Sequence, residues 1–241
     1  MKIIEKILKS VLTETEIIYK KQLSKSAFHI RIQSEDFLKI NIIPGAFLRV
    51  GIGIGKEELS MKDKIRSYSI WDFDQKKGVI DIAIATHSKG IGSYWVSNCK
   101  VGDKLFCKLK TGKFLIDEIA DSYLMIGDLS ALSHLYMIQR ELGPNKYVKG
   151  IIYSDNKDDF FPDVDNKTPF DFYEKSQNPI DEVIGEIKKS LPLMHGEEIV
   201  YIAGDSRLCI ALTKFFRNEL KWKSNKIKTK PFWNPEKKGL E

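Results

Sequence analysis

The chain has 241 residues, of which 42% are hydrophobic, so it is long enough for one large domain or two ordinary ones with real cores. Its 39 lysines and arginines against 33 acids leave a net charge of +6. Because acids are interspersed through most of the chain, this excess favours anionic small molecules over nucleic acid as partners.

No apolar run approaches the roughly 20 residues that a membrane span requires. Lysines and a glutamate interrupt Met1–Leu12, where a signal peptide would need an apolar core. We therefore expect a cytoplasmic protein that does not enter a membrane. The three cysteines, Cys99, Cys107 and Cys209, have no close pair and no iron–sulfur spacing. That pattern argues against a disulfide framework and against a metal site.

The N-terminal half has the pattern of an antiparallel β-barrel. Residues 2–10 have an apolar face typical of a short amphipathic helix that caps the barrel. Short runs rich in β-branched and aromatic residues follow, separated by turns at Pro44-Gly45 and Lys77-Gly78. The predicted strands are Glu16–Tyr19, Ala27–Gln33, Phe47–Ile54, Ser67–Phe73, Val79–Ala85 and Lys104–Lys110.

After Asp117 the pattern changes to alternating strands and helices, which predicts an α/β domain with a parallel sheet. The predicted strands are Tyr123–Ile126, Tyr147–Tyr153 and Glu198–Ala203, and the predicted helices are Ala131–Leu142, Ile180–Ser190 and Ser206–Leu220. Ligands of such sheets bind outside the carboxyl ends of the strands, where Asp128, Ser130, Gly204 and Asp205 lie. We predict domains at 1–118 and 119–241, the second with a basic C-terminal tail.

Two stretches of the first domain carry the candidate chemistry. In Arg66-Ser67-Tyr68-Ser69-Ile70-Trp71, Arg66 and Tyr68 share one face of a strand while Ser67 faces the other way. A strand later, Lys89-Gly90-Ile91-Gly92-Ser93 offers backbone N–H groups and a helix start to an anion. Arg66 would pair with a phosphate through its planar fork, and Tyr68 would offer a flat face to a ring. This combination suits a flavin nucleotide; the alternative is a plain hairpin loop with a serine N-cap.

Arg-x-Tyr-Ser followed by Gly-x-Gly-Ser resembles the ferredoxin–NADP reductase superfamily. Further segments are similar to its siderophore-interacting protein branch, the ferric-siderophore reductases, in an order and spacing that match nearly the whole chain. These segments are Ile82–His87, Trp95, Val101–Asp103, Met125–Ala131, Tyr201–Ser206 and Phe232-Trp233. The chain departs from that branch at His87-Ser88, where His-Gly is usual, and at Gly204-Asp205, where Gly-Glu is usual. At its end the branch usually has Tyr-Trp-Arg-x-Gly, whereas this chain has Phe232-Trp233 and then Lys237 and Lys238 a few residues later.

The resemblance implies a barrel that binds FAD and an α/β domain that binds NAD(P)H. The implied activity is reduction of Fe(III) in a ferric siderophore to release Fe(II), with the flavin as the reactive group and no catalytic side chain. The implied cofactor-binding residues are Arg66, Ser67, Tyr68, Ser69, Ile70, His87, Lys89, Gly90, Ile91, Gly92, Ser93, Trp95, Asp128, Ser130, Ala131, Gly204, Asp205 and Trp233. The implied substrate-binding residues are Arg49, Lys237 and Lys238.

Several alternatives stay open. Arg49 is equally well a solvated arginine on a strand. His87 is alternatively a structural hydrogen-bond donor to the backbone. Phe232-Trp233 alternatively packs the tail against the sheet. The acidic, aromatic stretch 158–181 is a lid or a family insertion. The acceptor is alternatively a quinone, free flavin, flavodoxin or ferredoxin, and the chain is alternatively a non-catalytic nucleotide-binding or nucleic-acid-binding protein. We expect a monomer that binds no nucleic acid.

Overall fold

The computed structural model describes residues 12–53, 64–87, 90–175 and 179–236. The chain divides into two compact units, the first ending at Leu115 and the second beginning at Ile116. The amphipathic helix predicted for residues 2–10 lies outside the described residues. Within the described ranges, every helix is too short or too polar to cross a membrane.

The N-terminal unit is an antiparallel sheet with one helix. Its described strands are β1 (Thr13–Ser24), β2 (Ala27–Gln33), β3 (Phe47–Gly51), β4 (Ile65–Ser69), β5 (Asp72–Asp74), β6 (Val79–Ala85) and β7 (Lys104–Lys110). They pair in the order β4-β3-β7-β1-β2-β6-β5. Helix α1 (Ile91–Asn98) lies between β6 and β7 in the chain.

A two-residue corner closes this sheet into a barrel. β4 lies at one edge, on β3, and β5 lies at the other edge, on β6, yet only Ile70 and Trp71 separate them in the chain. Ile70 N donates to the Ala46 carbonyl at 3.3 Å and Trp71 N donates to the Asp81 carbonyl at 2.8 Å. The single strand predicted over Ser67–Phe73 is therefore wrong, because the chain changes partner strand at this buried corner.

Asp81 is the buried carboxylate of the barrel wall. Arg31, directly opposite it on β2, donates to it from Nε at 2.8 Å and from Nη2 at 3.0 Å, and His29 is hydrogen-bonded to it as well. Burial by itself raises the pKa of Asp81, but the hydrogen bonds from His29 and Arg31 outweigh that effect and lower the pKa below its usual value. This carboxylate therefore stabilises the barrel at neutral pH and loses that effect on acidification.

The C-terminal unit is a parallel sheet with helices. Its described strands are β8 (Ser122–Asp128), β9 (Tyr147–Ser154), β10 (Asp171–Glu174), β11 (Glu198–Asp205) and β12 (Ile227–Trp233), in the order β10-β9-β8-β11-β12. Its α-helices are α2 (Leu132–Glu141), α3 (Ile180–Ser190) and α4 (Ser206–Lys214), and α4 continues as a π-helix over Phe215–Glu219. The predicted fold class, an antiparallel barrel followed by a parallel α/β domain, is confirmed. Strands β10 and β12 were not predicted.

The parallel sheet has apolar side chains on both faces, as expected when helices cover a sheet. On one face Leu124 and Ile202 pack with Leu208 and Leu212 of α4. On the other face Tyr123 and Tyr201 stack with their ring centroids 6.5 Å apart.

The aromatic stretch after β9 is packed into this unit. Tyr136 of α2 stacks on Phe170 with ring centroids 5.2 Å apart, and its hydroxyl donates to the Phe161 carbonyl at 2.8 Å. Phe161 and Phe170 are both buried, and Arg140 forms an ion pair with buried Asp163 at 2.5 Å. In residues 158–175 this packing favours a structural insertion over a lid.

All three cysteines are free and buried. Burial raises the pKa of the Cys107 thiol to about 12 and that of the Cys209 thiol to about 12, and it also raises the pKa of Cys99. These thiols therefore stay protonated at neutral pH.

We expect Gly150→Ala to lower the free energy of unfolding by roughly 1 to 3 kcal/mol, the usual cost of overpacking a core. A Cβ atom at Gly150 would lie 2.5 Å from Cγ of buried Phe170. The matched control is Gly185→Ala in α3, where a Cβ atom has open space and the helix should gain about 0.5 to 1 kcal/mol. Denaturant titration followed by circular dichroism measures both changes. Equal effects of the two substitutions would contradict the assigned packing of Phe170.

Candidate functional site

The glycine turn and the Arg66–Ser69 strand meet in the N-terminal unit. Helix α1 starts at Ile91, after an extended Gly90, and Gly92 lies in its first turn. A Cβ atom at Gly92 would lie 2.6 Å from the Tyr68 hydroxyl and 4.0 Å from Cγ of Arg66. The first turn of the helix therefore adjoins both side chains, and a Cβ atom at Gly92 would force the Tyr68 hydroxyl to move.

Trp95 completes this group, one turn further along α1. Its ring stacks on Tyr68 with centroids 5.8 Å apart and an interplanar angle of 24°. The Arg66 guanidinium lies along its own strand, where Nη1 donates to the Ile65 carbonyl at 2.7 Å. The structure thus brings together four of the predicted residues, which we call the Tyr68 group: Arg66, Tyr68, Gly92 and Trp95.

Arg49 lies on the opposite face of the same pair of strands. In the β3–β4 register Arg49 is opposite Ser67, whereas Arg66 is opposite Val50. Since directly opposed residues share a face, Arg49 and Ser67 point away from the face that carries Arg66 and Tyr68. Arg49 is exposed there, so its geometry favours the solvated-arginine alternative over a place in the Tyr68 group.

The other predicted residues of this unit lie near the Tyr68 group in sequence. Ser69 ends β4, Ile70 is buried at the corner, and His87 is exposed after β6. The start of α1 contributes Gly90, Ile91 and Ser93. Outside the described residues lie Lys89, Lys237 and Lys238.

In the C-terminal unit, Asp128 joins the carboxyl ends of three strands. It is 5% exposed, and four donors converge on it. Its Oδ1 accepts from Ser130 N at 2.8 Å and from Ser130 Oγ at 2.5 Å. Its Oδ2 accepts from Asp205 N at 2.7 Å and from Trp233 Nε1 at 2.7 Å. The predicted residues Asp128, Ser130, Asp205 and Trp233 therefore form one hydrogen-bonded cluster.

Gly204 and Ala131 shape the backbone around this cluster. Gly204 has φ of +115°, and a Cβ atom there would lie 2.5 Å from Cγ of Asp128. Glycine is thus required both by the backbone conformation and by the space that Asp128 fills. Ala131 is buried and occupies the N-cap position of α2.

Sequence analysis missed two residues beside this cluster, Arg207 and Tyr153. The Asp205 carboxylate caps α4 by accepting from Arg207 N at 2.8 Å, and it pairs with the Arg207 guanidinium at 2.6 Å. The Asp-Ser-Arg order at a predicted helix start was the available indication of that pair. Tyr153 lies next to Asp128 in the β8–β9 register, which only strand alignment reveals.

The Tyr153 hydroxyl is buried, and no atom of the described residues forms a hydrogen bond with it. Its residue is 7% exposed. Burial, and then the nearby charges of Asp128 and Asp205, raise the pKa of Tyr153 well above its usual value. An unsatisfied polar atom therefore lies under the carboxyl edge of the sheet.

The two units match two protein families. Residues 14–116 match the oxidoreductase FAD-binding domain family, and residues 120–236 match the siderophore-interacting protein family. The C-terminal unit is thus similar to siderophore-interacting proteins, and the N-terminal unit is similar to FAD-binding domains of oxidoreductases. The family resemblance and the FAD cofactor inferred from the sequence are thereby confirmed.

Three known proteins are similar to nearly the whole chain. Ferric vibriobactin reductase ViuB of Vibrio cholerae is 24% identical over 244 residues, which cover 90% of this chain and 88% of ViuB. The crystal structure of the siderophore-interacting protein SipS of Aeromonas hydrophila superposes with a TM-score of 0.77 at 17% identity, over 94% of this chain and 92% of SipS. The siderophore-interacting protein of Acinetobacter baumannii gives 0.75 at 18% identity, over 93% and 91% of the two chains. These structures share the fold of this chain.

We expect Tyr153→Phe to raise the free energy of unfolding by about 1 kcal/mol, because it removes a buried hydroxyl that has no partner among the described residues. The matched control is Tyr136→Phe, which deletes a buried hydroxyl that does donate, to the Phe161 carbonyl. That control should lower the free energy of unfolding by about 1 to 2 kcal/mol. Denaturant titration compares the two. A loss of stability in Tyr153→Phe would show that the hydroxyl is satisfied after all.

Proposed function

We propose that this chain is an NAD(P)H-dependent flavin reductase of ferric siderophores. One NAD(P)H would reduce two Fe(III) chelates, giving NAD(P)⁺, a proton and two Fe(II). The observation that carries the proposal is the Tyr68 group, which lies within the unit that matches the FAD-binding family. The name of the relative ViuB, a ferric vibriobactin reductase, supports the choice of acceptor.

The Tyr68 group fits FAD in its chemistry. The Tyr68 ring offers an apolar face, the Arg66 guanidinium is suited to a phosphate, and the first turn of α1 at Gly92 presents backbone N–H groups. Trp95 holds the Tyr68 ring from its other side. When bound, FAD would accept a hydride from the nicotinamide and pass electrons on one at a time.

The carboxyl edge of the C-terminal sheet supports a site for the nicotinamide nucleotide. Ligands of parallel sheets bind at this edge, and the starts of α2 and α4 both lie there. The carboxylates of Asp128 and Asp205 are each occupied by N–H donors, including the Arg207 guanidinium. This pairing reduces the repulsion that the two acids would exert on the phosphates of a dinucleotide.

Catalysis in this proposal is positioning, with no side chain acting as nucleophile, acid or base. Reduction to Fe(II) weakens the hold of hard oxygen ligands on the metal and so favours its release. Among the late lysines, Lys226 pairs with Glu197 at 2.8 Å and Lys228 pairs with Asp117 at 3.0 Å. The proposal gives the attraction of an anionic chelate to Lys237 and Lys238 on the family resemblance alone, because both lie outside the described residues.

The decisive experiment mixes purified, FAD-loaded protein anaerobically with NADH or NADPH and then adds a ferric siderophore. We expect the flavin absorbance to bleach with one of the nucleotides and to recover as Fe(II) appears. Ferrozine trapping of Fe(II) and the flavin spectrum provide independent measurements. If the flavin bleaches but reduces a quinone and no ferric chelate, the flavin chemistry stands and the proposed acceptor is wrong.

Replacing Arg66 with Ala should weaken FAD binding by about 1.5 to 3 kcal/mol, the range for a hydrogen bond to a charged group. Arg66→Lys should recover only part of the loss, because lysine keeps the charge and lacks the planar fork. Arg49→Ala is the matched control, since Arg49 lies on the other face of the same strands. Fluorescence titration of the apoprotein with FAD measures all three. Equal losses of FAD affinity in Arg66→Ala and Arg49→Ala would contradict the assignment of FAD to the face of the strands that carries Arg66.

A further inference from the structure

Lys64 is a buried lysine directly before strand β4. It is 5% exposed, and its carbonyl accepts a hydrogen bond from Gly53 N at 3.2 Å, just after β3. Within residues 12–53, 64–87, 90–175 and 179–236, no carboxylate and no carbonyl pairs with the Lys64 ammonium group. Lysine is rarely this buried without a partner, because the ammonium group loses its hydration on burial. An anion is therefore the partner that this position lacks.

Lys64 lies on the face of the strand that carries Arg66 and Tyr68. Side chains alternate along an extended chain, so residues 64, 66 and 68 share one face, and Ile65 and Ser67 share the other. The first turn of α1 adjoins the same face, since it approaches both Arg66 and Tyr68. Lys64 is therefore a further cation beside the Tyr68 group.

Three sources of positive potential meet on this face. Lys64 and Arg66 carry full charges two residues apart, and like charges repel more strongly where burial lowers the local dielectric constant. The start of α1 adds backbone N–H groups and the positive end of the helix dipole. A bound anion would relieve the repulsion between the two cations. The diphosphate of FAD carries two negative charges and matches this requirement.

We propose that Lys64 is a second cation for the diphosphate of FAD, acting beside Arg66. The inference rests on the FAD site of the proposed function and adds a residue to it. Lys64 supplies a compact point charge, whereas Arg66 supplies a planar fork, so the two residues bind the diphosphate in different ways. Riboflavin has no phosphate and gains nothing from Lys64.

The test replaces Lys64 with methionine, which keeps the length of the side chain and its apolar stem but removes the charge. We expect Lys64→Met apoprotein to bind FAD about 10-fold more weakly, because a charged contact is lost. Its dissociation constant for FAD should also depend less on salt concentration than that of the wild type. Riboflavin binding should not change. Isothermal titration calorimetry with FAD and with riboflavin measures all of these.

Lys108→Met is the matched control. Lys108 is exposed on β7 and lies opposite Arg49, on the other face of the sheet. This variant removes the same charge from the same unit, and it should bind FAD as the wild type does. If Lys64→Met does not fold, Lys64→Gln removes the charge with a polar side chain and repeats the measurement.

Thermal unfolding separates phosphate binding from a structural role. We expect Lys64→Met to raise the melting temperature of the apoprotein, because it removes a buried charge. It should also reduce the increase in melting temperature that FAD produces. If the variant instead lowers the melting temperature of the apoprotein and FAD affinity together, Lys64 is structural and the inference is wrong.

The remaining outcomes distinguish this inference from the proposed function. If riboflavin binding falls as much as FAD binding, Lys64 does not act on the diphosphate. If Lys64→Met binds FAD normally but reduces an anionic ferric chelate more slowly, the lysine serves the substrate and the inference is wrong. Wild-type protein that binds no FAD would overturn the proposed function as well. Wild-type protein that binds FAD no more tightly than Lys64→Met does would overturn the inference alone.

Discussion

Two side chains, Tyr68 in the N-terminal unit and Asp128 in the C-terminal unit, lie against glycine backbone where any Cβ atom would overlap them. At Gly92 the first turn of α1 can approach the Tyr68 hydroxyl, and at Gly204 the end of β11 can approach the Asp128 carboxylate. Each close approach places a helix start beside a side chain of a candidate site. The candidate sites of both units therefore depend on the same constraint, the absence of a side chain at one backbone position.

Buried carboxylates have a structural task in both units. Asp81 joins β2 to β6 through Arg31 and His29, and its lowered pKa keeps it charged inside the barrel wall. Asp128 joins β8, β11 and β12 through neutral N–H and O–H donors. A buried charge is costly unless donors surround it, so each network specifies one arrangement of its strands. In the C-terminal unit that arrangement also sets the direction of Trp233.

Much of the fold could be predicted because hydrophobic periodicity is local: β6 and α3 have the predicted bounds. Strand β12 was missed because its lysines and proline resemble a solvated tail, although edge strands commonly carry such residues. Residue types and spacing predicted Arg66, Tyr68 and Gly92 of the Tyr68 group, and the family resemblance added Trp95. The position of Arg49 on the opposite face could not be predicted, because strand register depends on contacts distant in sequence.

The three sequestered thiols have a further consequence for a flavoprotein. Reduced flavins react with dioxygen and yield hydrogen peroxide, which oxidises cysteine through its thiolate. Cys107 and Cys209 are buried and have pKa values raised to about 12, so almost none of either is thiolate at neutral pH. Because peroxide reacts with the thiolate, these two cysteines are poor targets for a by-product of the flavin.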